Sequence, residues 1–265
     1  MNNLILRAIS GAVYVAVIVL AILGGSLWMS LLVALMAIAG VYEYQKLSAN
    51  RCPWPVKAFT MVLTLALALS GFYMNLPALV ALCLFPVVRC CFTLADRNDT
   101  ALRDTAGDTL CFLYIGVALF SLGRTYEMAG SYFVLLLFVL IWLNDTGAYL
   151  TGSRFGRTRL CERLSPKKSW EGFWGGMVFC VVAGAIAGHF GVGPVRDVFS
   201  GALFGVAVSI FSTMGDLFES ALKRHAGVKD SGNLIPGHGG LLDRIDSLLF
   251  VAPVSLLFVL FSCYI

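Results

Sequence analysis

Five acidic residues, Asp216, Glu219, Asp230, Asp243 and Asp246, crowd one stretch of an otherwise apolar chain. On a helical reading Asp216, Ser220 and Lys223 are spaced i, i+4 and i+7 and share a face, with Glu219 flanking it. Asp243 and Asp246 are three apart and project together as well. Between the two sets runs SGNLIPGHGG, residues 231–240, whose Pro236 and glycines rule out a regular helix. Such glycines let backbone N–H groups close on an anion. Carboxylates in this pattern suit a hard divalent cation, which commonly takes one or two carboxylates plus substrate phosphate oxygens. Lys223, Arg224 and Arg244 suit the phosphates themselves. The plain alternative is a solvated loop of balanced charge, which leaves acids beside an apolar helix face unexplained.

A second segment, NDTGAYLTGSRFGRTRLCERLSPKKSWEG, spans Asn144 to Gly172. Asp145 falls inside an apolar run, where a charge costs about 2.5–3.5 kcal/mol on insertion scales and is a functional candidate by default. Its ordinary reading is a hydrated carboxylate at the interface, paired with an Arg. Gly147, Gly152 and Gly156 fit either function or close helix packing. Pro166 with Lys167 and Lys168 reads as a rigid basic turn suited to phosphates, although any cytoplasmic loop carries lysines.

These segments are set in a membrane protein. Of the 265 residues, 59% are hydrophobic and 13% charged, with mean hydropathy +0.85. Soluble domains average roughly 25% charged residues. The apolar runs are long and unalternated, which fits spanning helices and not the short strands of a barrel. Nine spans are expected, at about residues 8–24, 27–46, 57–74, 76–95, 107–124, 131–151, 173–191, 198–217 and 247–264. The expected fold is an all-α polytopic helix bundle of one domain over residues 1–265, with its chemistry at 216–246. The first apolar run follows Arg7 but has no A-x-A cleavage site, so it reads as a retained helix. With the N-terminus in the cytoplasm, every Lys and Arg except Arg124 and Arg196 falls on the cytoplasmic side, as the positive-inside rule requires. Both candidate segments then face the cytoplasm. The eight cysteines are scattered without C-x-x-C, which argues against a disulfide framework or a zinc site. No internal repeat stands out, and the short loops leave no room for a soluble domain.

The run SALKRHAGVKDSGNLIPGHGGLLDRID, Ser220 to Asp246, resembles the signature of the phosphatidate cytidylyltransferases, or CDP-diacylglycerol synthases. The family pattern is Ser-x-apolar-Lys-Arg, four residues, Lys-Asp, a small residue, then Pro-x-His-Gly-Gly-apolar-x-Asp-Arg-apolar-Asp, and every specified position is met. GDLFES and DTGAY…SPKKSWEG are similar to further family blocks, while the first ~140 residues resemble the family only in hydropathy. One departure is Lys168-Ser169, where the family has Lys-Thr; the hydroxyl is kept.

The resemblance implies that CTP and phosphatidic acid give CDP-diacylglycerol and pyrophosphate. It implies Mg²⁺, with room for a second cation, on Asp216 and Asp243, with Asp246 completing or orienting the shell. Lys223, Arg224 and Arg244 would neutralise phosphates. His238 would donate to a phosphate oxygen or brace its loop. Ser165, Lys167, Lys168 and Glu171 would shape the nucleotide side, and Asp145 would hold a second cation or orient Lys167. Ser220, Lys229, Asp230, Gly239 and Gly240 complete the expected substrate contacts. The expected partners are CTP, phosphatidic acid, membrane lipids and a second copy of the chain, without nucleic acid. The expected place is a bacterial-type inner membrane with the site facing the cytoplasm. Two other classes answer to parts of the pattern. A CTP-dependent polyprenol or lipid kinase would release CDP. A cation-coupled transporter would need acids spread through the membrane depth, whereas here they cluster on one side.

Overall fold

The computed structural model describes residues 3–48, 52–73, 75–96, 99–232, 234 and 239–264. Ten α-helices account for most of them: α1 (Asn3–Leu23), α2 (Ser26–Leu47), α3 (Trp54–Tyr73), α4 (Asn75–Ala95), α5 (Ala101–Cys111), α6 (Ala118–Ala129), α7 (Ser131–Phe155), α8 (Trp170–His189), α9 (Val198–His225) and α10 (Leu242–Tyr264). A π-helical segment, Phe112–Val117, joins α5 to α6 into one continuous rod, Ala101–Ala129. Among the described residues, eight helical segments are long and apolar enough to cross a membrane, and Ile9–Leu23 adds a shorter apolar helix. This is an integral membrane protein built as an all-α bundle, as its hydropathy requires.

Several expected spans are extended by the structure. The fifth, expected at 107–124, runs Ala101–Ala129; α7 continues to Phe155, α9 to His225, and α10 begins at Leu242. Hydropathy falls where charges begin, but the helical hydrogen-bond ladder continues through polar residues. One all-α expectation needs a small addition. Arg159–Cys161 (β1) and Ser165–Ser169 (β2) pair antiparallel, with Arg159 opposite Ser169 and Cys161 opposite Ser165. Lys167 and Lys168 therefore stand on a strand and not in a turn.

The chain forms two compact units. The first comprises Met1–Arg124 and His225–Arg244. Its core includes Leu67, Ala81, Phe85 and Phe112, with the rings of Phe85 and Phe112 stacked at 4.1 Å. Arg89, counted above among the cytoplasmic charges, lies within α4 and is buried. Its Nε donates to Asp108 at 2.9 Å and its guanidinium also donates to the Cys52 sulfur at 2.9 Å. A buried charge must be paired, and α4 and α5 supply the pair. Burial pushes the Cys52 thiol up, against the opposing pull of Arg89.

The second unit comprises Thr125–Arg224 and Ile245–Ile265. Phe133, Phe204 and Phe258 stack at its core. Helices α7, α8 and α9 approach closely along small residues, the usual way for helices to pack without a hydrophobic drive between them. A Cβ on Gly147 would meet the Gly176 Cα at 3.1 Å, and one on Gly172 the Ala148 carbonyl at 2.9 Å. Gly147 and Gly152 thus both take part in this packing, and Gly152 also lines the cavity described below. Further along α8, Gly184 and Gly188 pack against Gly201 of α9. Helix α9 starts at a reciprocal cap in which the Ser200 N–H donates to Asp197 Oδ1 at 2.9 Å and the Asp197 N–H donates to Ser200 Oγ at 3.2 Å. The Ser200 N–H holds the Asp197 carboxyl below its ordinary range.

Gly201→Val should separate α8 from α9, because its side chain would collide with the Gly184 carbonyl. Overpacking of this kind costs about 1–3 kcal/mol. A lowered unfolding midpoint in detergent, measured beside the wild type, is the expected result.

Candidate active site

In the second unit a cavity of about 510 Å³ lies among α7, the β-hairpin, the start of α8 and α9. That is within the ~300–1,000 Å³ range of small-molecule sites. Asp145, Ser165, Lys167, Lys168 and Asp216 all line it. The sequence separates these residues by up to 71 positions, from Asp145 to Asp216, and the hairpin brings the lysines back to the helices. Lys168 Nζ forms an ion pair with Asp216 Oδ2. Ser220, one turn on, donates from Oγ to Asp216 Oδ1 at 3.4 Å. Asp246 lies within electrostatic reach of Asp216 and Asp145, which repel it, and of Lys168, which attracts it. Its Oδ1 accepts the Ser247 N–H at 2.6 Å. Asp216, Asp145 and Lys168 thus all act on Asp246.

A buried polar layer holds these helices in register. Asn144 Oδ1 accepts from Ser209 Oγ at 2.7 Å, Asn144 Nδ2 donates to Ser212 Oγ at 3.3 Å, and Ser247 Oγ donates to the Ser212 carbonyl at 3.2 Å. Gly215 lets α9 approach the Asp246 carbonyl, which a Cβ there would meet at 2.5 Å. The hairpin is anchored in turn by Glu171, whose carboxylate accepts the N–H groups of Arg157 and Thr158, each at 3.1 Å. Ser169 caps α8 by accepting the Gly172 N–H at 3.1 Å. Glu171 and Ser169 therefore shape the wall that presents Lys167 and Lys168.

Of the signature segment, His225–Arg244 belongs to the first unit, while Ser220–Arg224 and Ile245–Asp246 belong to the second. Asp243 Oδ2 accepts from the Ser231 N–H at 3.0 Å, from Ser231 Oγ at 2.9 Å and from the Gly240 N–H at 2.9 Å. Gly239 has φ +86, a left-handed conformation that glycine adopts without strain. The Gly240 amide, expected to face a bound anion, turns instead toward the protein's own Asp243 carboxylate. Glu43, which the sequence reading passed over, accepts the N–H groups of Leu241 at 3.0 Å and Leu242 at 2.8 Å. The available signal was an acid inside the apolar run AGVYEYQKL, the same signal that marked Asp145.

The remaining expected residues divide as follows. Lys223 pairs with the buried Glu219 on the same helix face. Arg224, Lys229, Asp230 and Arg244 are exposed. The Arg244 carbonyl accepts from Tyr14 Oη at 2.9 Å. His238, with Pro236 and Gly237, lies outside the described residues, as do Arg51 and Arg97. Among the described residues no three His, Cys, Asp or Glu side chains form a ready metal cage. Mg²⁺ does not demand one, since it keeps waters and takes substrate phosphates.

A family model described as Cytidylyltransferase family matches residues 5–262. The chain belongs to that family. The cytidylyltransferase match thus takes in both the hairpin and the signature segment, and it includes the N-terminal helices that carry no legible motif. Among curated proteins, the chain is similar to the phosphatidate cytidylyltransferase of Staphylococcus aureus, at 33% identity over 225 residues, 84% of this chain and 85% of that protein. It is 32% identical over 235 residues to the phosphatidate cytidylyltransferase of Staphylococcus haemolyticus, covering 88% of this chain and 90% of the relative. The phosphatidate cytidylyltransferase of Staphylococcus epidermidis is 31% identical over 223 residues, 84% of this chain and 85% of its own.

Proposed function

We infer that this cytidylyltransferase joins CTP to phosphatidic acid, forming CDP-diacylglycerol and pyrophosphate. The observation that carries the reading is the cavity that gathers Asp145, Asp216, Lys167 and Lys168 in a chain bearing the complete Ser220–Asp246 signature. In the reaction a phosphate oxygen of the lipid attacks the α-phosphorus of CTP. The bond from that phosphorus to the bridging oxygen breaks, and pyrophosphate leaves with the electron pair. The nucleophile is already an anion, so no strong general base is required. The barrier is the approach of two polyanions, and preorganised positive charge is the means of lowering it. Lys167 and Lys168 would neutralise the triphosphate, with Lys168 exchanging its partner Asp216 for a phosphate oxygen. Lys223, Arg224 and Arg244 remain candidates for the other phosphates.

The donor set fits a hard cation, because the charges acting on Asp246 are carboxylates with one ammonium as counter-charge. Asp216 and Asp246 would hold Mg²⁺ within the second unit, with Asp145 as the candidate for a second cation. When bound, the ion supplies neutralising charge at the phosphate oxygens. Asp243 as a ligand rests on the signature alone, and so does homodimerisation on the family resemblance.

A single assay tests the reaction. Purified protein receives labelled CTP, phosphatidic acid and Mg²⁺, and the products are resolved. CDP-diacylglycerol with pyrophosphate supports the reading; CDP with a phosphorylated lipid would instead support the kinase.

The proposed placement is the inner membrane of a bacterial-type cell with the site toward the cytoplasm, supported by the distribution of Lys and Arg. Arg157→Cys and Lys229→Cys, in a background freed of exposed cysteines, should resist an impermeant thiol reagent in intact cells and react once the membrane is opened. Labelling from outside would reverse the orientation. Phosphatidic acid stays in the bilayer while CTP arrives from water, so the cavity must admit lipid from the side.

A further inference from the structure

Glu43 is an acid about one turn from the C-terminal end of α2, a first-unit membrane helix; it is 2% exposed, and nothing in the proposed chemistry employs it. A buried charge of this kind is costly unless fully hydrogen-bonded. Its bonds to described residues go to one place. Oε1 accepts from the Leu241 N–H, and Oε2 accepts from the Leu242 N–H and from Ser231 Oγ at 3.2 Å. Leu242 opens α10, so these amides belong to the helix N-terminus, where N–H groups lack helical partners and an anion is favoured. Ser231 reaches Asp243 as well, so its hydroxyl lies between two carboxylates. The glycines complete the fit. A Cβ on Gly232 or on Gly240 would meet a Glu43 carboxylate oxygen at 2.6 Å. The two ends of the segment between residues 231 and 240 are therefore drawn onto one side chain from a helix nearly two hundred residues away in sequence.

We propose that Glu43 is the positioning residue of the signature segment, tying Ser231 to Leu241 and Leu242 and so setting where Asp243 and Arg244 stand. It touches no substrate in this role; it acts through the loop. The proposal deepens the cytidylyltransferase reading and rests on it for its effect on rate, but the contact itself can be judged without substrate.

The test uses the full-length protein in detergent with Glu43→Gln, Glu43→Asp, Ser231→Ala and the double variant Glu43→Gln/Ser231→Ala. Glu43→Gln keeps shape but not charge and offers one acceptor where two are used. It should lower kcat/KM by about 10–100-fold, the scale of orienting partners around a reacting centre. Glu43→Asp keeps the charge and should recover part of that loss. Ser231→Ala should lose less than Glu43→Gln, and the double variant should be no worse than Glu43→Gln alone, since both act through one contact. Amide exchange at Leu241 and Leu242 should speed up by about tenfold in Glu43→Gln, marking local opening. Unchanged exchange at these amides, a wild-type rate, or losses that multiply in the double variant would overturn the proposal. If Glu43→Gln does not accumulate, Glu43→Asp and Ser231→Ala are read by the same exchange measurement. A wild-type protein that makes no CDP-diacylglycerol would sink the activity reading, while the exchange measurement would still decide the role of Glu43.

Discussion

Asp216→Asn should lower the rate of CDP-diacylglycerol formation by about 10²–10³ while leaving the fold intact. The carboxylate is paired with Lys168 and hydrogen-bonded by Ser220, and it faces a cavity that takes lysines from the hairpin. Asparagine keeps its shape but removes the charge that would neutralise a bound cation. The folding cost is small for a physical reason. The side chains of Lys168 and Asp216 are 26% and 34% exposed, so water replaces the lost partner. Partly exposed ion pairs contribute only about 0–1 kcal/mol. Steady-state turnover at saturating CTP should therefore collapse while the unfolding midpoint stays near that of the wild type. Added Mg²⁺, or Mn²⁺ in its place, should restore part of the rate. A turnover within a few-fold of wild type at ordinary Mg²⁺ would remove Asp216 from the metal site.

Asp243 should be as sensitive, but its two simplest variants should fail in different ways. One oxygen, Oδ2, accepts all three donors, from Ser231 twice and from Gly240 once. Asparagine can place its single carbonyl oxygen there and keep the loop hydrogen bonds. Alanine cannot. Both Asp243→Asn and Asp243→Ala should be nearly inactive, with losses of about 10² or more, because the charge serves the reaction. Only Asp243→Ala should also speed amide exchange at Ser231 and Gly240, since only it leaves those donors without an acceptor. Activity near wild type in Asp243→Asn would mean that Asp243 braces the loop and does no more. Rapid exchange in both variants would mean that its charge is needed to hold the loop.

Much of the protein was legible before any fold was known, and the reason is the membrane. Lipid forces backbone groups to pair internally, so apolar runs of the right length must be helices. That accounts for every expected span having a helical counterpart. Span ends were less legible, because hydropathy reports where lipid stops and not where the helix stops. Helix α9 shows this: the apolar run gives out near Gly215, yet the helix continues to His225 and carries Ser220 one turn above Asp216. The hairpin was illegible for the opposite reason. A two-stranded sheet of eight residues has no periodicity to read, and Pro166 with two lysines looks like a turn.

The sequence by itself determined the membrane class, the family and the residue types of the site. These follow from composition and from a signature whose spacing survives without a fold. Tertiary structure decided which of the acids act on one another. Asp145 and Asp216 come within electrostatic reach of Asp246 where Gly215, Asn144 and the serines of α9 let three helices approach closely. It also decided that the glycine segment is held by Glu43, since no spacing rule links residue 43 to residues 231–242. Such a link depends on where a helix lies in space, and hydrogen bonds between distant segments leave no period in the chain that makes them.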